Sequence, residues 1–429
     1  MDKNSKFYNK LKKITQGFLK VLVQVFVSFI PVKKLRKKIR RKLFYKIFGE
    51  LEPTCAVLDI NSKWLETYIS EVIQNEYDLS DALKAEKIVV FFEIEYNRIC
   101  GGQFAYFSYC MNSKLILGKE YAVLMSTLPG SFTYSHLQYF NNNIEICRFE
   151  QILDIIKNKR EVIIMLPEAD VVSPADGSEL FRNRLSPQDI KILKSIPKLR
   201  INILNGRIDY QPHKNAINWL RTLTKNVTTS VGNFSACSQE ICNFIGMPLY
   251  LIPAKIDISM YKKVEFSQKR KLIILSYDLY GCDLLFKIDF IRKLNRELPD
   301  YQVCVLYGKT FDEFQRLMAV SMAVISFGEG FDGYFFNSNY LGTAGFAVYN
   351  DVFFPDKRWK DYDNVYSSYQ ELYENFVTDF KKITKDKEIY YHFTKPIHDE
   401  CDKLYNMSAY LNSLRKFYEE TPDYVPTKK

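Results

Sequence analysis

The sequence predicts an α/β protein of two domains, each built on a parallel sheet. Three observations carry this. The chain has 429 residues, more than one ordinary core accommodates, so two domains plus appendages are expected. From about residue 87 onward, short apolar runs alternate with amphipathic stretches in two successive blocks, the pattern of strands joined by crossover helices. Several of those runs are apolar at every position, as strands covered on both faces are.

Composition narrows the class. With 47% hydrophobic and 15% aromatic residues the chain has ample material for burial, which excludes a disordered protein. The nine cysteines (Cys55, Cys100, Cys110, Cys147, Cys237, Cys242, Cys282, Cys304, Cys401) form no Cys-x-x-Cys pair and are odd in number. This fits thiols of a reducing compartment better than a disulfide frame or zinc site. The histidines, His136, His213, His392 and His398, offer no metal-ligand spacing. Residues 1–50 hold fifteen Lys/Arg against Asp2 and Glu50, a net of +13, whereas the whole chain is +10 and the remainder therefore −3. Positive charge confined to one end argues against a nucleic-acid groove on the body.

In chain order, the first element is that end. The uncharged run Val21–Val32 is twelve residues, short of the ~20 needed to span a bilayer. It meets Pro31 and then Lys33, Lys34, Arg36, Lys37, Lys38, Arg40, Arg41 and Lys42, rather than a small-residue cleavage site. Residues 14–48 are expected to lie as an amphipathic segment on the anionic cytoplasmic face of the cell membrane; a solvated basic arm is the alternative. Expected strands follow at 87–96, 121–128, 161–167, 200–206, 226–231 and 248–256, with helices between, among them 136–159 and 213–225. A second series has strands at 271–278, 302–308, 322–328 and 345–351. The polar stretch 257–268 marks the joint. This sets 1–50 as the membrane-associating segment, 51–257 as the first domain, 258–365 as the second and 366–429 as a helical tail.

Ligands of parallel α/β sheets bind outside the carboxyl ends of the strands, so the residues just after each apolar run are the candidates. Gly101-Gly102, opening the next helix, allow either a tight turn or close backbone approach to a ligand. Glu168 and Asp170 follow the 161–167 strand, as helix caps or as ligands or a base for an acceptor hydroxyl. Lys309, just past Gly308, is either a loop lysine or a point charge for a diphosphate. Asp361-Tyr-Asp363 has Asp-x-Asp spacing for a divalent cation but reads as a surface turn. In "FGEGFDGYFFNSNYLGTAGFAVYND" (327–351), Glu329 lies between Gly328 and Gly330 at the end of a buried strand. Asp332 is placed to cap a helix ending at Gly342, and Asn337 stands eight residues after Glu329. The glycines leave N–H groups bare for phosphate while the carboxylate is placed for sugar hydroxyls; a purely structural turn is the alternative.

That stretch resembles the retaining GT-B glycosyltransferases of family four, marked by Glu, Gly-Phe-Gly, a second Glu eight positions on, and a glycine before the next strand. Here the residues are Glu329-Gly330-Phe331-Asp332, Asn337 in place of the second Glu, and Gly342-Thr343. "SVGNFSACSQEICNFIGMPLYLIPAKID" is similar to the family's approach to its Pro-Asn-Gly-Val-Asp crossover, with Lys255 for glycine and Asp257 kept. The stretch from Lys271 to Lys309 resembles the first strand-helix-strand of the nucleotide domain, and Cys100–Gln103 the acceptor-domain Gly-Gly loop. "IPVKKLRKKIRRKL", "PEADV" and "INILNGRIDY" are similar to stretches of bacterial capsule, O-antigen and rhamnan-type enzymes.

The resemblance implies two Rossmann-like domains around a cleft and transfer of a sugar from a nucleotide-diphosphate donor to a lipid-linked or growing glycan, with retention and without a metal. Glu329 would act on the donor sugar. Gly328, Gly330, Phe331, Asn337, Gly308, Lys309, Lys255, Lys287, Gly342 and Thr343 would bind the donor; Gly101, Gly102, Gln103 and Glu168 the acceptor. The family's diphosphate-gripping arginine and its acceptor-domain histidine have no counterpart here, which keeps a catalytically degenerate scaffold as an alternative. A metal-dependent GT-A enzyme using Asp361 and Asp363 is a second. No nucleic-acid partner is expected.

Overall fold

The computed structural model describes residues 79–427, apart from 94–100, 132–143, 145, 174–176, 207–212, 255–257, 278–281 and 307–308. The chain divides into two compact units, Met1–Glu76 and Tyr77–Lys429, and the described residues belong to the second. The basic segment, with the 14–48 stretch expected to lie on a membrane, lies outside the described residues, as do Lys255, Asp257 and Gly308.

The first sheet has seven strands: β1 (Lys87–Phe92), β2 (Tyr121–Ser126), β3 (Ile146–Cys147), β4 (Glu161–Pro167), β5 (Lys198–Asn205), β6 (Val227–Val231) and β7 (Leu249–Leu251). Their order is β3-β2-β1-β4-β5-β6-β7, all parallel. The second has β8 (Leu272–Leu275), β9 (Gln302–Val305), β10 (Ala323–Ser326), β11 (Ala344–Val348) and β12 (Val365–Tyr366) in the order β12-β11-β10-β8-β9, again parallel. β1 shows why its residues are apolar throughout. Ile88, Val90 and Phe92 enter one buried cluster with β4 and β5, while Val89 and Phe91 enter another on the opposite face. Alternate side chains point to opposite faces of a strand, and both faces here are covered.

β3 and β12 were not expected. Each is a two-residue pairing, too short to show a period in sequence. β3 lies within the 136–159 stretch expected to be helical, where only Phe149–Ile156 forms a helix among the described residues.

The helices that frame the site are α1 (Gly101–Leu117), α2 (Glu168–Val171), α3 (Leu284–Glu297), α4 (Phe311–Val320), α5 (Gly333–Tyr340), α6 (Tyr369–Ile383), α7 (Lys387–Tyr405) and α8 (Met407–Tyr418). The last five open on side-chain N-caps, Thr310, Asp332, Ser368, Asp386 and Asn406, which satisfy N–H groups left over in a first turn.

The tail helices divide between the sheets. Phe376 and Phe380 of α6 and Tyr390 of α7 are in the second sheet's core. α8 crosses to the first: Tyr418 donates to Ser113 Oγ at 2.7 Å and Arg200 Nη2 to the Phe417 carbonyl at 2.6 Å. Beyond α8, Tyr424 pairs antiparallel with Leu249 on the outer edge of β7. The cluster beneath α8 runs on from Val89 and Phe91 to Ile274, Phe311 and Val324 of the second half, with the Phe104 and Phe311 rings 4.8 Å apart.

Candidate active site

In a doubly wound sheet the ligand crevice opens outside the carboxyl ends of the two strands where the strand order reverses. The first sheet reverses between β1 and β4, the second between β8 and β10. Both places carry carboxylates.

β10 runs into Phe327-Gly328-Glu329-Gly330. Gly328 and Gly330 take φ of 95° and 77°, the left-handed region that glycine enters without a Cβ penalty. A Cβ on Gly330 would collide with the Val348 carbonyl and stand 2.9 Å from Phe354 Cε2. Gly330→Ala is therefore expected to destabilise the protein by about 2–3 kcal/mol, seen as a lowered thermal midpoint. Glu329, held between these two turns, is half-buried.

The backbone of this loop is less bare than its glycines suggest. Gly328 N–H donates to the Tyr369 hydroxyl at 2.9 Å, and the Tyr369 ring stacks on Phe327 at 5.9 Å. Asp332 accepts from Tyr334 N–H at 2.9 Å and Phe335 N–H at 3.1 Å. The amino end of α5, a position that favours anions, is thus filled by the chain's own carboxylate. Lys287 is buried; its ammonium donates to the Ser276 carbonyl and lies 4.8 Å from the Phe327 ring. The Ser276 hydroxyl in turn accepts from Phe327 N–H at 2.7 Å. The lysine charge is therefore set into the strand ends of β8 and β10.

Asn337 is buried on α5. Its amide nitrogen is 3.6 Å from where a Gly333 Cβ would be, so the side chain leans toward the helix amino end, as helical side chains do. Among the described residues its side chain has no hydrogen-bond partner. Lys309 is exposed at the end of β9, the sheet's edge strand.

Gly342 and Thr343, expected to bind the donor, do not reach this edge. β10 and β11 run parallel with Ala323 opposite Ala344 and Ser326 opposite Ala347. Residues just before β11 therefore lie at the amino edge, about 13 Å of strand from the Glu329 turn. Gly342, at φ 73°, ends α5. Thr343 is fully buried, accepting from Lys269 Nζ at 2.7 Å and donating to the Met318 carbonyl at 2.8 Å. The motif glycine serves to stop the helix and enter β11.

At the first sheet, register sets a row of polar residues. Phe91 is opposite Met165 and Pro167 opposite Leu204, which puts Glu93 level with Pro167 and Glu168 level with Asn205, the last residue of β5, so that the three lie within one residue of a common level at the carboxyl edge. All three are buried, as is Asp170 in α2. Glu168 Oε2 accepts from Gly206 N–H at 3.3 Å. Gly101, Gly102 and Gln103 form the first turn of α1, with Gly102 exposed. The loops after β6 and β11 meet: Ser235 Oγ donates to the Val352 carbonyl at 2.7 Å. Tyr405 bridges Phe234, at 5.5 Å, and Phe331 of the Glu329 turn, at 6.4 Å. The two carboxyl edges thus face each other.

Asp361 and Asp363 are exposed ahead of β12. Among the described residues no three His, Cys, Asp or Glu are grouped to hold a metal ion, and no helix is long and apolar enough to cross a membrane. The seven described cysteines are free thiols. Sequence reasoning passed over Glu93 and Tyr369. An acid directly after an all-apolar strand was a usable signal for Glu93; the tyrosine had none beyond aromatic patterning.

No family model matches the chain, and no curated protein does. Among solved structures, an α-glucosyltransferase in complex with UDP and a 13-mer DNA containing an HMU base superposes with a TM-score of 0.51. It is 11% identical, over 77% of this chain and 98% of the other. The fold is GT-B. Also similar are sucrose-phosphate synthase from Thermosynechococcus elongatus (TM-score 0.47, 10% identity, 78% and 98% covered) and spinosyn rhamnosyltransferase complexed with thymidine diphosphate (TM-score 0.40, 10% identity, 78% and 100% covered). In GT-B terms the β1–β7 sheet and the β8–β12 sheet are the two Rossmann-like halves.

Proposed function

We propose that this chain transfers a sugar from a nucleotide-diphosphate donor to a lipid-linked or growing glycan in bacterial cell-surface polysaccharide synthesis, with retention and without a metal ion. The observation that supports this most is the position of Glu329. It stands half-buried at the second sheet's reversal point, on a loop joined through Tyr405 to the edge that carries Glu93 and Glu168.

In this reading the second half holds the donor. The Asn337 amide, without a side-chain partner among the described residues, hydrogen-bonds ribose hydroxyls. Lys287 lends positive potential through the strand ends, and Lys309 with Lys255 approaches the diphosphate directly. Glu329 sits beside the anomeric carbon, where positive charge develops as the diphosphate leaves; a fixed carboxylate is worth most at such a place, shielded from water. The first half, with Gly101, Gly102, Gln103 and Glu168, holds the acceptor, and residues 14–48 keep the enzyme at the inner face of the membrane, near a lipid-linked glycan.

A second reading is favoured by a specific observation. Gly328 N–H, the amino end of α5 and Lys287 all have partners within the chain, as a scaffold that holds glycan without donor would. Calorimetric titration with UDP-, GDP- and dTDP-sugars, with transfer and hydrolysis followed in parallel, separates the two. Binding and turnover of one donor are expected; no binding of any would overturn the transferase.

Asp332→Gly sharpens the comparison. Glycine at an N-cap costs only a few tenths of a kcal/mol relative to aspartate, so the fold is retained. Removing the competing carboxylate is expected to tighten nucleoside diphosphate binding about tenfold. Unchanged affinity by calorimetry would mean that the diphosphate does not use this helix.

A further inference from the structure

Glu329 stands between two glycines, and glycine gives a chain more backbone freedom than any other residue. A carboxylate that acts on a reacting atom has to be held to within about 0.5 Å. The turn's own sequence does not supply that restraint, so the surroundings must. On the Gly330 side crowding supplies it, because the Val348 carbonyl and the Phe354 ring lie where a Cβ would be.

On the Gly328 side the restraint comes from two hydroxyls. β10 ends at Ser326, and the next two N–H groups are taken by side chains. Phe327 N–H donates to Ser276 Oγ at 2.7 Å, just past β8, and Gly328 N–H donates to the Tyr369 hydroxyl at 2.9 Å. The Phe327 ring between these bonds is held as well. It lies 5.9 Å from the Tyr369 ring with 7° between the planes, and it meets Phe290 edge-on at 6.0 Å. Tyr369 is itself firmly set as the first residue of α6. Ser368 caps that helix, its hydroxyl accepting from Glu371 N–H at 3.1 Å, and the Phe286 ring meets the tyrosine edge-on at 5.6 Å. A phenylalanine at 369 would supply both ring contacts. Only the hydroxyl reaches Gly328.

We propose that Tyr369 is a positioning residue for Glu329: its hydroxyl fixes the peptide between Phe327 and Gly328, and through it the place of the carboxylate beside the donor sugar. Tail helix α6 thereby belongs to the donor side as well as to the second sheet's core, where Phe376 and Phe380 lie. Tyr369 has this role only if Glu329 acts on the donor sugar, as proposed above, and it acts without touching the sugar itself.

The test uses the full-length protein, with kcat and KM measured for whichever of a panel of UDP-, GDP- and dTDP-sugars wild type turns over. Tyr369→Phe, which keeps the ring contacts and hence the fold, is expected to lower kcat about tenfold with KM changed less than about twofold, since a displaced carboxylate loses transition-state contact and little ground-state binding. In a Glu329→Gln background the same substitution should cost less than about twofold, because the group it positions has already lost its charge. Tyr390→Phe is the control. The Tyr390 hydroxyl accepts from Ala344 N–H and donates to the Met322 carbonyl at the opposite edge of the same sheet. Its loss should lower the thermal midpoint and leave kcat within about twofold of wild type. Hydrogen exchange across residues 327–332 should be faster in Tyr369→Phe than in wild type and unchanged in Tyr390→Phe. Wild-type kcat in Tyr369→Phe, an undiminished cost in the Glu329→Gln background, an equal kcat loss in Tyr390→Phe, or unchanged exchange across 327–332 would each overturn the positioning role while leaving Glu329 its own. Absence of turnover by wild type with every donor would overturn the transferase reading, and the role of Tyr369 with it.

Discussion

Glu329→Gln is expected to lower sugar transfer by about 10²–10³-fold while the thermal midpoint stays near that of wild type. The substitution keeps the side chain's size and one acceptor oxygen, replaces the other oxygen with an NH2 donor and removes the charge. The surrounding turn is shaped by Gly328 and Gly330 and anchored by Tyr369, none of which depends on that charge. The loss should fall on kcat more than on KM, because a carboxylate aimed at charge developing on the sugar acts in the transition state and little in the ground state. Steady-state kinetics with the donor found by titration would show this. Turnover equal to wild type would remove Glu329 from the chemistry.

Arg200→Ala is expected to destabilise the protein by about 3–4 kcal/mol. Arg200 is fully buried in β5 and binds the carbonyl of Phe417 in the last turn of α8. Its guanidinium stacks 3.9 Å from the Phe417 ring centre, and Nη1 is 3.9 Å from Glu420 Oε1. A cation at a helix carboxyl end is well placed, and its removal leaves a void and takes the charged donor from a carbonyl that keeps only the Glu420 N–H at 3.3 Å and the Glu419 N–H. Thermal melting should show a clear drop, and limited proteolysis should cut near Asn406, where α7 passes into α8. A melting point unchanged within about 0.5 kcal/mol would mean that α8 is held by its apolar contacts alone.

How much of this was readable beforehand depends on how local the cause is. β1 and β4 were plain because burial on both faces demands runs of apolar residues, and that demand is written in consecutive positions. The Asp332 cap was plain for the same reason: cap and helix are neighbours in sequence. Gly342 and Thr343 were assigned to the donor by resemblance alone; in a parallel sheet the residues just before a strand lie at the amino edge, where the pairing of Ala323 with Ala344 puts them. The Gly328 N–H partner is supplied from 41 residues away, and nothing near Gly328 announces it.

The pairing of Tyr424 with Leu249 has a consequence for biosynthesis. A multidomain chain generally folds its leading part while the rest is still being made. Here the sheet begun at Lys87 lacks its final hydrogen-bonded neighbour, and the helix that roofs it, until α8 and Tyr424 have been made. A nascent chain halted before that point would present β7 as an open template for other chains. Synthesis of α8 and Tyr424, rather than emergence of the first half, is the moment at which that half becomes safe from misassociation.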